Sequence, residues 1–98
     1  MTTTAERLRD ARVKTDAALV SVGADPGASP VLLAVVSEFA AKAEKATHSD
    51  DERTAVIELE QAGDSAKAAA EADNGVADAT RQAVLDAQLA ICVAKAKL

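Results

Sequence analysis

Apolar residues recur along most of the chain three and four positions apart, the spacing that places side chains on one face of an α-helix. The clearest interruption is residues 23–30, where two glycines and two prolines fall within eight positions. The flanking segments predict a first helix over about residues 4–22 and a second from residue 30 to about residue 47. A third helix is predicted to follow Ser49 and end near residue 72, and a fourth to cover about residues 76–97.

Residues that cap helices precede the first three predicted helices. Thr3-Thr4-Ala5-Glu6 and Ser49-Asp50-Asp51-Glu52 both match the capping box, in which a hydroxyl accepts from a backbone N–H and the acid reaches back. Ser29-Pro30 places a capping serine before a proline, whose missing N–H is not needed at the first helical position. These motifs predict N-caps at Thr3, Ser29 and Ser49.

The segment Asp73-Asn74-Gly75 separates the third and fourth helices. Asn74 or Gly75 is expected to adopt the left-handed conformation that ends a helix, and Asp73 or Asn74 to cap the next one. A continuous helix through this segment is the alternative, because a single glycine inside a helix costs only about 1 kcal/mol. The chain then has three helices rather than four.

Helices of similar length joined by short connections favour an antiparallel bundle, so the sequence predicts an all-α fold with residues 1–98 as one domain. The second helix has the most clearly amphipathic pattern and is expected to anchor the core. The apolar face of the third helix is mostly alanine with Gly63, which predicts a close approach of its neighbours. We find no convincing internal repeat in the sequence itself.

Composition and charge exclude several classes of protein. Alanine supplies 25 of the 98 residues, Phe39 is the single aromatic residue and Cys92 the single cysteine. A disulfide scaffold and a base-stacking site are therefore not expected. The net charge of −5 disfavours nucleic acid as a partner. Residues 49–74 hold the acidic excess, with eight acidic and two basic side chains.

Membrane and export signals are also missing from the pattern. The apolar run of residues 31–36 is as long as any in the chain, and it is far shorter than the roughly 20 residues of a membrane span. The first seven residues lack the apolar core of a signal peptide. We therefore expect a cytoplasmic protein without a membrane partner, although export without a signal peptide stays open.

The fourth helix carries the most informative pattern, because it is apolar on two sides. One stripe holds Val84, Ala87, Ile91, Ala94 and Leu98, and the other Leu85, Leu89, Cys92 and Ala96. Arg81, Gln88 and Lys95 form a polar line between them, seven residues apart. Both stripes must be buried, either by a central position in the bundle or by another copy of the chain. We predict self-association in which Leu85, Leu89 and Ile91 bury apolar surface, while Arg81, Gln88 and Lys95 set the register.

The chemistry of a catalytic or metal site is sparse. With a single histidine, the chain lacks the paired Glu-x-x-His motifs of a di-iron bundle. Glu44, His48, Asp50 and Asp51 are the one candidate ligand cluster, and they are too few for a closed zinc site. Cys92 lies in an apolar segment and is expected to be a buried, inert thiol. We expect no catalysis and no cofactor.

These observations predict a non-catalytic interaction or assembly protein that associates with itself through the fourth helix. A small monomeric regulator or adaptor that binds one protein partner is the alternative, because it needs the same exposed apolar stripe. A metal- or ligand-carrying bundle built on the His48 cluster is the third hypothesis.

Overall fold

Three connections of five residues each join four helices in the computed structural model, which describes residues 2–98. The helices are α1 (Thr4–Ala24), α2 (Pro30–Ala46), α3 (Glu52–Ala72) and α4 (Asp78–Ala96). Each packs against its two neighbours in the order α1, α2, α3, α4 and back to α1, while α1 and α3 lie across a diagonal. The result is an up-down-up-down bundle 38 Å long, which confirms the predicted all-α fold with four helices rather than three.

Two of the predicted N-caps are present. The Thr3 hydroxyl accepts from the Glu6 backbone N–H at 3.1 Å, and it donates to the Glu6 carboxylate at 3.2 Å. The Ser29 hydroxyl accepts from the Leu32 N–H at 3.1 Å, and Pro30 is the first residue of α2. Each hydroxyl satisfies one of the N–H groups that the first turn of a helix leaves free.

The predicted cap at Ser49 is wrong by two residues. Asp51 caps α3 instead, and its carboxylate accepts from both the backbone N–H and the hydroxyl of Thr54, at 3.1 and 2.8 Å. Ser49 accepts from the Asp51 N–H at 3.2 Å and so shapes the turn before the helix. A carboxylate at this position also interacts favourably with the helix dipole, which a hydroxyl does not.

Helix α3 ends at Ala72, as predicted, but the predicted left-handed residue and the predicted cap of α4 are wrong. No residue between Thr2 and Leu98 has a positive φ, so neither Asn74 nor Gly75 is left-handed. Asp73 ends the helix in an extended conformation, with φ −86° and ψ 102°. The N-cap of α4 is Ala77, which has no side chain that could cap the helix.

Each helix contributes five buried residues at the spacing of one face, and Ala40, Ala55 and Ala62 are buried beside them. Phe39 is the largest buried side chain and lies against Gly63, where a Cβ atom would come within 3.2 Å of the Phe39 ring. The absence of a side chain at Gly63 therefore makes room for the ring, as the small residues of α3 predict. The five positions on each helix are Leu8, Ala11, Thr15, Ala18 and Val22 of α1, Leu32, Val36, Phe39, Ala43 and Ala46 of α2, Val56, Leu59, Gly63, Ala66 and Ala70 of α3, and Thr80, Val84, Ala87, Ile91 and Ala94 of α4.

These five positions per helix form one pattern that occurs twice, because each of the five on α1 and on α2 has a buried counterpart 48 positions later. The N-caps Thr3 and Asp51 and the C-caps Asp25 and Asp73 keep the same offset, and α1 and α3 have the same length. The chain therefore consists of two similar hairpins, α1–α2 and α3–α4. The repeat is not visible in the sequence because only seven of the 50 residue pairs at this offset are identical.

Hydrogen bonds at one end of the bundle relate the two hairpins by an approximate two-fold axis. Asp25 accepts from the Ala77 N–H at 2.9 Å, and Asp73 accepts from the Ser29 N–H at 2.8 Å. Ser29 and Ala77 are again 48 residues apart, so each hairpin supplies the same bond to the other. Such reciprocal contacts are what a two-fold axis along the bundle produces.

Candidate interaction surface

The two apolar stripes of α4 have different environments. Val84, Ala87, Ile91 and Ala94 are buried against the other helices, while Leu98 lies beyond the helix and is 45% exposed. In the second stripe Leu89 is 60% exposed, and Leu85 and Cys92 are half-buried. The hypothesis that α4 is a central helix with both stripes inside the bundle is therefore wrong.

Apolar residues on the solvent side of α4 form what we call the outer face of α4, made of the half-buried Leu85 and the exposed Leu89, Val93 and Ala96. Val93 is 44% exposed and was missing from the predicted interface, although its spacing of four residues from Leu89 is a signal for it. Ile91 was included in that interface, and this assignment is wrong. Its side chain is fully buried, and its Cγ2 atom lies within 3.1 Å of where a Cβ at Gly63 would be.

The predicted polar line joins α4 to α3 of the same chain. Arg81 donates from Nε to the Ala70 carbonyl at 3.1 Å and from Nη2 to the Asp73 carbonyl at 2.9 Å. The guanidinium thereby satisfies carbonyl groups at the end of α3. Arg81 is thus engaged within the molecule, and its contacts fix how far along α3 the helix α4 lies.

The other two members of the polar line also reach α3. Gln88 donates to Asp64 at 3.0 Å, and Lys95 forms an ion pair with Glu60 at 2.6 Å. The hydrogen bond to the Glu60 carboxylate and its charge raise the pKa of Lys95 above its ordinary value. The register that these residues set is therefore the register between α3 and α4.

Cys92 lies between this polar line and the outer face of α4. Its Sγ atom accepts from the Gln88 amide at 3.0 Å. Burial raises the pKa of the thiol, and the nearby Asp64 and Glu60 charges raise it further. A thiol with a raised pKa stays protonated near neutral pH and is a poor nucleophile.

A groove of about 460 Å³ runs between α1 and the outer face of α4. Leu89 and Val93 line one wall, and the opposite wall is a polar surface of α1. Lys14 is paired with Asp10 at 3.0 Å on that wall. The charged residues along the groove are three acids and two bases, so its net charge is small: Glu6, Asp10 and Asp86 against Arg7 and Lys14.

The repeat allows the outer face of α4 to be compared with its counterpart on α2, 48 residues earlier. The counterpart residues of α2 are exposed and are polar or small. Both helices nevertheless bury the same five inner positions. The bundle therefore does not need large apolar side chains on the outer face of α4. The pairs are Leu85 with Ser37, Leu89 with Ala41, and Val93 with Lys45.

The predicted ligand cluster does not assemble. Glu44 lies 3.9 Å from the Arg12 guanidinium, Asp51 caps α3, and His48 and Asp50 are exposed. Within residues 2–98, no three His, Cys, Asp or Glu side chains are grouped closely enough to hold a metal ion. None of the helices in that range has the length and apolar character needed to cross a membrane.

In comparisons with known proteins, no family model, no curated protein and no solved structure matches the chain.

Proposed function

We propose that this protein is a non-catalytic assembly module that associates with a second copy of itself through the outer face of α4. The observation that supports this is the difference between the two hairpins. Leu89 and Val93 are exposed on α4, at positions where α2 has Ala41 and Lys45. Since the fold tolerates small or polar residues there, the large apolar side chains suit a contact made outside the bundle.

Burial of these side chains supplies the driving force for association. Full burial of a leucine or valine side chain is worth about 1.5–3 kcal/mol. Because Leu89 is exposed in the single chain, much of that free energy is available to a contact with a second copy. A symmetric dimer buries the face twice, once from each copy. A stable interface covers about 800 Å² on each partner, which is a small part of the 5410 Å² that each chain exposes.

The distribution of charge favours a second copy over a basic partner at this face. The groove beside the outer face is nearly neutral. On the other side of the outer face, Lys95 is paired with Glu60 and Arg81 with Asp78. The acidic excess lies in residues 49–74, mostly on α3. Two copies thus meet through a surface that does not repel itself. Added salt screens the remaining repulsion between acidic chains, so self-association should become tighter.

Light scattering behind a sizing column, over a range of protein concentrations, tests the proposal. We expect the wild-type mass to approach twice the 10.0 kDa of one chain. The variant Leu89→Lys, Val93→Lys should be monomeric, because a dimer would bury four unpaired ammonium groups. Ala41→Lys places a lysine at the equivalent exposed position of α2 and is the matched control. A wild-type mass of one chain at every concentration and salt level contradicts the proposal.

A monomeric regulator or adaptor is the second candidate, and the acidic segment supports it. Residues 49–74 carry a net charge of −6, which suits a basic protein partner. Such a complex would weaken as salt is added, whereas the self-association that we propose would tighten. The direction of the salt effect therefore separates the two candidates.

A further inference from the structure

We infer that association through the outer face of α4 stops at a closed dimer, because the equivalent face of α2 lacks the apolar contact. This inference rests on the proposed function and concerns how many copies assemble. It follows from the repeat of 48 residues and from the position of the two-fold axis between the hairpins.

The approximate two-fold axis runs along the bundle and exchanges α2 with α4. The outer faces of these two helices therefore point in opposite directions, from opposite corners of the molecule. If both faces were apolar, every copy would offer two equivalent contact surfaces about 180° apart, and nothing would close the assembly. Contacts that do not close produce open filaments, whereas one face that meets itself produces a closed pair.

The outer face of α2 has the features that prevent such growth. Ser37, Ala41 and Lys45 are all exposed. Lys45 corresponds to Val93, so a contact like that of α4 would bury an ammonium group without a partner. Only one of the two symmetry-related faces is therefore able to bind a second copy.

Transfer of the apolar face to α2 tests the inference. The variant Ser37→Leu, Ala41→Leu, Lys45→Val gives α2 the residues of α4 at three exposed positions. We expect wild type to stay a dimer at high concentration, and the variant to form a concentration-dependent series with an average mass at least twice that of the dimer. Light scattering measures the mass, and small-angle scattering should report elongated particles.

Two controls separate ordered growth from unspecific aggregation. The polar variant Ser37→Asn, Ala41→Gln, Lys45→Arg changes the same positions and should remain a dimer. Adding Leu89→Lys and Val93→Lys to the apolar variant removes the original face, so the chain should dimerise through α2 alone. Circular dichroism checks that each variant keeps its helices. If the three-residue variant loses them, Ala41→Leu alone should still raise the average mass above that of the dimer.

The possible failures are distinguishable. An apolar α2 variant that remains a dimer, while wild type is a dimer, overturns the inference and leaves the proposed function standing. Continued growth after removal of the α4 face also overturns it, because growth would then not need two faces. A wild-type chain that is monomeric throughout overturns both.

Discussion

The carboxylates of Asp25 and Asp73 each accept one hydrogen bond from the loop of their own hairpin and one from the loop of the other hairpin. Asp25 accepts from the N–H groups of Gly27 and Ala77, both at 2.9 Å. Asp73 accepts from Gly75 at 3.0 Å and Ser29 at 2.8 Å. Asp25 thus accepts a hydrogen bond at the start of α4, where Ala77 has no capping side chain. Together the two aspartates join the hairpins at one end of the bundle.

These bonds predict a loss of stability in acid. Hydrogen bonds from the backbone N–H of Ala77 and Gly27 lower the pKa of Asp25, and bonds from Ser29 and Gly75 lower that of Asp73. The unfolded chain therefore binds more protons in acid. The stabilisation is complete above the ordinary value of 3.8 and is lost as the pH falls through the lower folded pKa.

Thermal unfolding between pH 2 and pH 7 measures this effect. The variant Asp25→Asn, Asp73→Asn should be less stable than wild type at pH 7 and should lose less stability on acidification. Part of the acid sensitivity should remain, because bonds from Thr54 also lower the pKa of Asp51. Asp50→Asn removes an exposed carboxylate and is the control. Equal acid dependence in wild type and the double variant would show that the crossed bonds contribute nothing.

Gly27 and Gly75 face each other at the two-fold axis, so side chains there should be destabilising. A Cβ on Gly27 would overlap the Gly75 carbonyl group, and one on Gly75 would lie 2.6 Å from the Gly27 oxygen. Gly27→Ala should therefore push the loops apart and cost about 1–3 kcal/mol in urea unfolding. Gly23→Ala is the matched control, since its Cβ would meet nothing within 4 Å. We expect this control to raise the free energy of unfolding by up to about 1 kcal/mol, because alanine favours the helix. A Gly27→Ala variant that is as stable as wild type would contradict the close approach of the Gly27 and Gly75 backbones.

Phe39 and Gly63 should be energetically coupled. An alanine at residue 63 gains helix propensity but crowds the Phe39 ring, which lies 3.2 Å from its Cβ position. Gly63→Ala should thus destabilise wild type by about 1 kcal/mol and become less harmful beside Phe39→Leu. A double-mutant cycle measured by urea unfolding should give a coupling of about 1 kcal/mol. Strictly additive effects would mean that the two residues do not share the space.

Arg81 should stabilise the junction between α3 and α4. Arg81→Leu introduces the residue found at the equivalent position of α2, Leu33, and removes the bonds to the Ala70 and Asp73 carbonyls. Hydrogen bonds from a charged group are worth about 1.5–3 kcal/mol, and we expect a loss of that order. Arg81→Lys should recover only part of it, since lysine cannot reach both carbonyls with one planar group. Chemical unfolding of both variants checks the order, and equal stability of the two would contradict it.

The helices and their inward faces were predictable because helix formation depends on neighbours three and four residues away. Thr3 and Ser29 were identified as caps for the same reason. The error at Ser49 has a local cause too. Two acids follow the serine, and the carboxylate of Asp51 is the better cap of α3. Ile91 was misassigned because a projection of α4 alone does not show which of its two apolar sides faces the core.

The sequence by itself determined the helical segments, the core-facing residues of α1, α2 and α3, and the absence of a large aromatic or histidine-rich site. The tertiary structure decided which stripe of α4 remains exposed, where Arg81, Gln88 and Lys95 bind, and how Asp25 and Asp73 cross between the hairpins. It also revealed the repeat. The physical reason is range, because these contacts join distant parts of the chain, up to 52 residues apart for Asp25 and Ala77, and no local pattern specifies them.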